Sequence, residues 1–183
     1  MIRMKFSKDE LKDFVKAWLA VSVAFSIMYF GISFDNKFLI NFLIIALIVG
    51  SAFVLHELAH KFMAIKYGYF AEFRSFDKML LIGIALSFFG FIFLAPGAVF
   101  ISGNITNDKN GKISLAGPLT NVILALIFLF IGGYIGAFGF KINSWLALFN
   151  MLPFFGLDGS KVYVWNKVVY FLVIGIAGLF VFM

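Results

Sequence analysis

The chain alternates long apolar runs with short polar breaks. Six stretches carry no charged residue: Ala17–Phe34, Phe38–Leu55, Met79–Asn107, Ile113–Phe140, Ile142–Leu157 and Val168–Met183. About 20 apolar residues cross a bilayer as an α-helix, with roughly 17 as the lower bound, so most of these runs predict membrane-spanning helices. The last two are short and need their flanks. A first helix is expected from Lys8, because Ser7-Lys8-Asp9-Glu10 fits a capping box in which Ser and Glu satisfy the first amides. That helix runs into Ala17–Gly31 with no small-residue cleavage site, so it is not read as a removable signal peptide.

Composition agrees with the pattern. The 183 residues are 63% hydrophobic, 20% aromatic and only 13% charged, with a mean hydropathy of +1.03. An ordinary soluble domain has about 25% charged residues. The polar stretches at 1–13, 66–78 and 104–112 are too small for a soluble domain of their own. The expectation is an all-α polytopic membrane protein of about five to six transmembrane helices, forming one domain over 1–183. Its core would cover about 38–165, with extra helices at 8–32 and 167–183. The absence of cysteine removes disulfides and thiolate metal sites. The net charge of +6 lies at the ends of apolar runs and reads as a topology signal, with the lipid bilayer rather than nucleic acid as the surroundings.

The distribution of lysine and arginine bears on the number of crossings. With the N-terminus inside, six simple crossings put ten of the 15 basic residues on the inner side. If Met79–Ser102 enters the membrane and returns to the same side, thirteen are inside and only Lys37 and Lys141 are outside. The positive-inside rule favours the second arrangement. Gly83, Gly90, Pro96, Gly97 and Gly103 interrupt this run, and Ala98-Val99-Phe100-Ile101 looks like a strand. A small re-entrant or β element is therefore expected between the second helix and the next crossing. A plain helix over 79–95 is the alternative.

Both histidines of the chain lie in His56-Glu57-Leu58-Ala59-His60, within the second apolar run and its inner flank. Positions four apart share a helix face, so both imidazoles can grip one ion, while Glu57 is turned about 100° away and can reach a water on it. That is the H-E-x-x-H arrangement of zinc hydrolysis, with two histidine ligands and a glutamate base. Buried polar residues bonding to neighbouring helices are the plainer reading. However, ionisable residues inside a span are costly and mark function by default. A catalytic zinc takes three protein ligands and one open position. Among the nine acids, only Glu57 and Asp158 sit in apolar surroundings, so elimination makes Asp158 the third ligand with His56 and His60. Asp158 shares the depth of the histidines only if its segment runs outside to inside, as the re-entrant arrangement requires.

Three blocks now resemble the site-2 protease family of intramembrane zinc metalloproteases: HELAH at 56–60, AGPLTN at 116–121 and NMLPFFGLDG at 150–159. The last is similar to the family's N-x-x-P-x-x-x-L-D-G element, although Ser160 and Lys161 follow where many relatives have a second glycine. The resemblance covers roughly 38–165. It implies Zn2+ bound by His56, His60 and Asp158, water activation by Glu57, an oxyanion or substrate-backbone contact for Asn150, and membrane-embedded β structure.

The expected reaction is peptide-bond hydrolysis of a transmembrane protein substrate near the cytoplasmic side, in a multi-pass protein with a cytoplasmic N-terminus. A helical substrate must unwind first, and the edge of Gly97–Ser102, with Gly97, Val99 and Ile101, is the candidate to hold it by strand addition. Gly117-Pro118 is expected to open the next crossing. Asn121, one turn on, either faces the substrate or bonds a neighbouring helix. The rival readings are a metal-ion transporter and an inactive metal-binding pseudoprotease. Neither the substrate's identity nor the oligomeric state is encoded legibly.

Overall fold

A computed structural model describes residues 4–32, 36–91, 96–154 and 156–183. Among the described residues the fold is mostly helical, with one small two-stranded sheet. In order, the elements are α1 (Lys8–Phe30), α2 (Asn36–Ile45), a π-helical turn (Ala46–Gly50), α3 (Ser51–Lys66), β1 (Phe70–Ser75), α4 (Asp77–Ser87), β2 (Gly97–Ser102), α5 (Asn107–Ile131), α6 (Gly133–Asn150), α7 (Asp158–Trp165) and α8 (Lys167–Phe182). Among the described residues, three helical stretches are long and apolar enough to cross a membrane: Lys8–Phe30, Phe38–Lys66 and Asn107–Ile131. Helix α8 is apolar but shorter, at 16 residues. Large apolar side chains point outward along these helices, with Phe130 and Phe182 each 88% exposed. Such surface is compatible with a lipid environment.

The chain divides into two compact units, one of residues 5–54 and 72–100 and the other of residues 55–71 and 101–183. In the first unit the start of α1 is held by polar contacts. Ser7 Oγ accepts from the Glu10 amide at 3.0 Å, the cap that the sequence predicts. Glu10 itself is fully buried, and its carboxylate accepts from the Phe73 amide of β1 at 2.9 Å. Asp13 pairs with Lys16 and Arg74. Lys16 also bonds Asp77 at 2.8 Å and holds that exposed carboxyl below the usual range. Between these contacts Phe14 stacks on Phe73 at 4.2 Å. Farther along, Trp18 Nε1 donates to the Ala46 carbonyl at 2.9 Å, in the π-helical turn where regular helix bonding is interrupted.

The sheet has the order β1–β2. β2 matches the expected strand, whereas β1 has no counterpart among the expected elements. Its sequence Phe-Ala-Glu-Phe-Arg-Ser alternates well enough for a strand, but its charges read as a solvated loop. Helix α4 has 11 residues and so spans about 16 Å, half a hydrocarbon core. The alternative helix over 79–95 runs partly outside the described residues, at 92–95.

In the second unit α5 and α6 form a hairpin through Gly132 and Gly133, both at positive φ (66° and 63°), which reverses the chain in minimal length. Close approach follows at Gly139, where an added Cβ would lie 2.3 Å from the Phe128 ring. Helix α7 packs on α5, with the Trp165 indole donating to Asp108 at 2.9 Å. Met151, Val162, Tyr170 and Val173 form a core between α7, α8 and the end of α6. Val122, Ala147 and Ala177 form another between α5, α6 and α8. One expectation is corrected here: Gly117-Pro118 does not open a helix. α5 starts at Asn107, with Thr106 accepting from the Lys109 amide, and Pro118 lies well inside it. The proline removes one helix bond rather than starting the helix.

Candidate metal centre

Helix α3 supplies two histidines from successive turns. Their rings stand edge to face with centroids 4.7 Å apart, and the two Nε2 atoms are 3.0 Å from each other. The third group comes from the start of α7. Leu157 is extended, and Asp158 is the first helical residue, so its carboxylate sits where the free amides of a helix N-terminus favour negative charge. Asp158 Oδ2 lies 3.3 Å from His56 Nε2 and 3.1 Å from His60 Nε2. Its other oxygen is 3.9 Å from Lys161 Nζ. Gly159 makes this placement possible: a Cβ there would lie 2.0 Å from the Met151 carbonyl oxygen, so only glycine lets α7 begin against the 151–152 turn.

Each imidazole is also held from behind. His60 Nδ1 contacts the Ile113 carbonyl at 2.8 Å. A carbonyl only accepts, so Nδ1 carries a hydrogen and Nε2 is the nitrogen turned to Asp158. His56 Nδ1 meets Asn121 Oδ1 at 2.6 Å. The result is two imidazole nitrogens and one carboxylate oxygen converging on a single point, a donor set that suits zinc.

The fit to zinc can be tested on distances. With Zn–N of about 2.0–2.1 Å and Zn–O of about 2.0–2.2 Å, the edges of a tetrahedron come to roughly 3.3–3.5 Å. The three observed edges, 3.0, 3.1 and 3.3 Å, approach that range. Space for the ion is kept by Gly117 of α5. A Cβ on it would fall 2.4 Å from His60 Nε2 and 2.5 Å from His56 Nε2, in the shell that a bound metal needs. Among the described residues, His56, His60 and Asp158 are the group of side chains that could hold a metal ion.

The other predicted site residues fall as follows. Glu57 is buried on α3 between the two histidines in sequence. Asn121, expected either at the substrate or on a neighbouring helix, is fully buried and stands behind His56, where it also donates to Asn143 at 3.1 Å. Asn150 is half-buried at the end of α6, with Nδ2 donating to the Leu146 carbonyl at 2.9 Å. Gly97, Val99 and Ile101 all lie on β2. Three contributors escaped the sequence reading: Gly117 as the residue that leaves room, the Ile113 carbonyl, and Asn143. Asn143 did carry a signal, as a lone amide in an apolar stretch. Gly117 was hidden by its proline neighbour, which reads as the start of a helix.

Two histidines four apart on an apolar helix, an aspartate closing the triangle and a glutamate beside them match the H-E-x-x-H pattern of metal-dependent hydrolases. The chain is 43% identical over 180 residues to the Methanocaldococcus jannaschii protein named "Putative zinc metalloprotease MJ0611", covering 92% of this chain and 91% of that one. A second protein of that organism, "Zinc metalloprotease MJ0392", is 27% identical over 149 residues, which are 76% of this chain and 39% of the relative. No family model and no solved structure matches. The chain belongs to the zinc metalloprotease family of these relatives.

Proposed function

We propose that this zinc metalloprotease works within the membrane, in the manner of site-2 proteases, and hydrolyses peptide bonds of transmembrane protein substrates. The observation that carries the reading is the setting of the histidines: both belong to Phe38–Lys66, a helical stretch of 29 residues that is long and apolar enough to cross a membrane. A metal pair on such a helix is reached by a substrate segment at membrane depth.

In this reading His56, His60 and Asp158 hold the zinc. When bound, zinc supplies a Lewis acid that polarises the scissile carbonyl and makes water a nucleophile at neutral pH. Glu57 takes the proton from the attacking water and returns it to the leaving amine. Asn150 spends one amide hydrogen on Leu146 and offers the other to the developing oxyanion. The unwound substrate pairs with β2 through Gly97, Val99 and Ile101. Around this centre the protein forms one domain with five crossings, a re-entrant element at 79–102, a cytoplasmic N-terminus and a site near the cytoplasmic face.

Reconstitution with a transmembrane substrate in lipid vesicles tests the proposal. Wild type should cleave it, and Glu57→Gln should abolish cleavage while keeping its zinc. Cleavage of soluble peptides alone would remove the intramembrane reading. Full activity in Glu57→Gln would remove Glu57 as the base.

A further inference from the structure

A sheet of two strands has two outer edges, and here they are treated differently. The Phe76 amide donates to the Pro96 carbonyl at 3.1 Å, and Gly97 lies against the Arg74 carbonyl, so the strands run antiparallel. In such a pair, residues alternate between those that bond across and those whose N–H and C=O point outward. Counted from Phe76, Arg74 and Glu72 bond across, while Phe73 and Ser75 point outward. Counted from Pro96, Ala98 and Phe100 bond across, while Gly97, Val99 and Ile101 point outward.

Helix α1 meets the outward groups of β1. Glu10 and Asp13 are three apart and share a helix face. The fully buried Glu10 accepts from the Phe73 amide at 2.9 Å. Asp13 accepts from the Ser75 hydroxyl at 3.2 Å and interacts with the Ser75 amide. The carbonyls inside a helix are spent on its own bonds, so acceptors for a strand must come from side chains. The two carboxylates thus stand where the carbonyls of a third strand would. Around them Phe14 stacks on Phe73, and Arg74 pairs with Asp13 and Glu72. Along β2, no hydrogen bond from a described residue reaches the outward groups of Gly97, Val99 or Ile101. We propose that α1, through Glu10 and Asp13, closes the β1 edge to strand addition and so directs an extended peptide to the edge of β2.

An open edge is a template for any extended chain, and at membrane depth its unpaired groups find no water to bond. A peptide answers both needs, because its N–H and C=O repeat every two residues as those of β2 do. The unguarded β1 edge would compete for the same peptide. Three strand spacings separate chains added on the two sides, about 14 Å in all. A reacting carbonyl must be placed to within about 1 Å, so one metal centre can serve a peptide on one edge and not on the other. Closing β1 therefore removes a mode that would hold substrate without cutting it. Glu10 and Asp13 are positioning residues in this scheme, touching neither metal nor substrate.

The inference rests on strand addition at this sheet, and it is separable from the protease reading. A photoreactive amino acid is placed at Phe100 of β2 or at Phe70 of β1, which are 53% and 65% exposed. The full chain in lipid vesicles is then irradiated with a biotinylated synthetic transmembrane peptide of leucine and alanine that has a central Pro-Gly break. With α1 unchanged, the peptide should be labelled from position 100 and not from position 70. With Glu10→Met and Asp13→Ala together, labelling from 70 should rise from background to the level seen at 100. Glu10→Gln with Asp13→Asn keeps an acceptor oxygen at both places and should label as wild type does. Labelling from 70 with α1 unchanged, or no gain there in the Met/Ala variant, overturns the inference. If that variant does not fold, Val99→Pro decides. It removes one outward N–H of β2, a loss that edge strands tolerate. Labelling from 100 should fall and none should appear from 70; either a full signal at 100 or a new one at 70 overturns the inference. Cross-links between two copies of the chain in place of chain and peptide would overturn the peptide as occupant. No labelling from either position, in a protein that still cleaves, would remove strand addition and this inference together and leave the protease standing.

Discussion

Replacing Gly117 by alanine separates two effects of opposite sign. Inside a helix, alanine is favoured over glycine by about 0.8–1.0 kcal/mol, so on propensity alone this variant is stabilised. The space around Gly117 predicts the reverse at the site. The added Cβ would lie 2.4 Å from His60 Nε2, 2.5 Å from His56 Nε2 and 2.6 Å from His56 Cε1. Comfortable contact begins at about 3.5 Å, so each ring must retreat by about 1 Å. Neither ring can do so without stretching the bond at its Nδ1, to Asn121 or to Ile113. Overpacking of this kind costs about 1–3 kcal/mol, which leaves the zinc-free fold between neutral and about 2 kcal/mol less stable once the propensity gain is subtracted.

The effect on zinc is larger. The ion must sit about 2.0–2.1 Å from both nitrogens, in space that the methyl group now contests. Losing the position of even one ligand exceeds the effect of an orienting partner, so zinc binding should weaken by at least about 100-fold. Elemental analysis after equilibration with a chelator reads the metal, and thermal unfolding with and without zinc reads the fold. Gly175→Ala in α8 is the control, since nothing lies within 4 Å of its Cβ and only the propensity gain applies. A Gly117→Ala protein that binds zinc as wild type does would refute the geometry of the site.

Asp158→Ala should lower bound zinc from about one per chain to near none under the same chelator challenge, because two imidazoles alone leave the ion short of the three protein ligands it takes; metal retained at wild-type affinity would remove Asp158 from the site. Gly159→Ala sets a methyl 2.0 Å from a backbone oxygen, which cannot rotate away as a side chain can. A loss of about 3 kcal/mol in stability is expected, read by denaturant unfolding, together with loss of zinc through displacement of Asp158. Stripping the zinc should lower the midpoint of thermal unfolding, and adding zinc back should restore it, since a ligand of the folded state alone stabilises it by mass action. An unchanged midpoint would mean that the metal contributes nothing to the fold.

Much of the framework was legible because membrane helices advertise themselves. Charge-free runs marked α1, the long stretch ending in α3, and α5, and Ser7 announced where α1 begins. The pairing of His56 with His60 followed from helix period alone, and Asp158 followed by elimination among few acids. The misses have physical causes. β1 carries Glu72 and Arg74 on a short strand, and the contacts that use them, with Ser7 and Asp13, are far away in sequence. The start of α5 was misplaced because Gly117-Pro118 looks like an entry to a helix. What keeps it within one is the run from the Thr106 cap and the packing of α7 at Gly111. Gly117 matters for the atom it lacks, and no periodicity reports an absence. Asn143 was visible as an amide out of place, but its partner Asn121 lies on another helix, 22 residues away.

The polar residues of this centre also answer the question of how an apolar helix tolerates them. Buried charge is expensive unless it is paired. In the proposed centre zinc would bring two positive charges, which the carboxylates of Asp158 and Glu57 would balance, while both imidazoles would enter as neutral ligands. Each neutral imidazole would still place one N–H, towards the Ile113 carbonyl for His60 and towards Asn121 for His56. Without the ion, the Asp158 carboxylate is left against two imidazole nitrogens, at 3.1 and 3.3 Å, in buried surroundings. The metal is therefore part of what makes the buried cluster tolerable as well as part of its chemistry. A loss of thermal stability on chelation should accordingly shrink in Asp158→Ala, which holds almost no zinc for the chelator to remove.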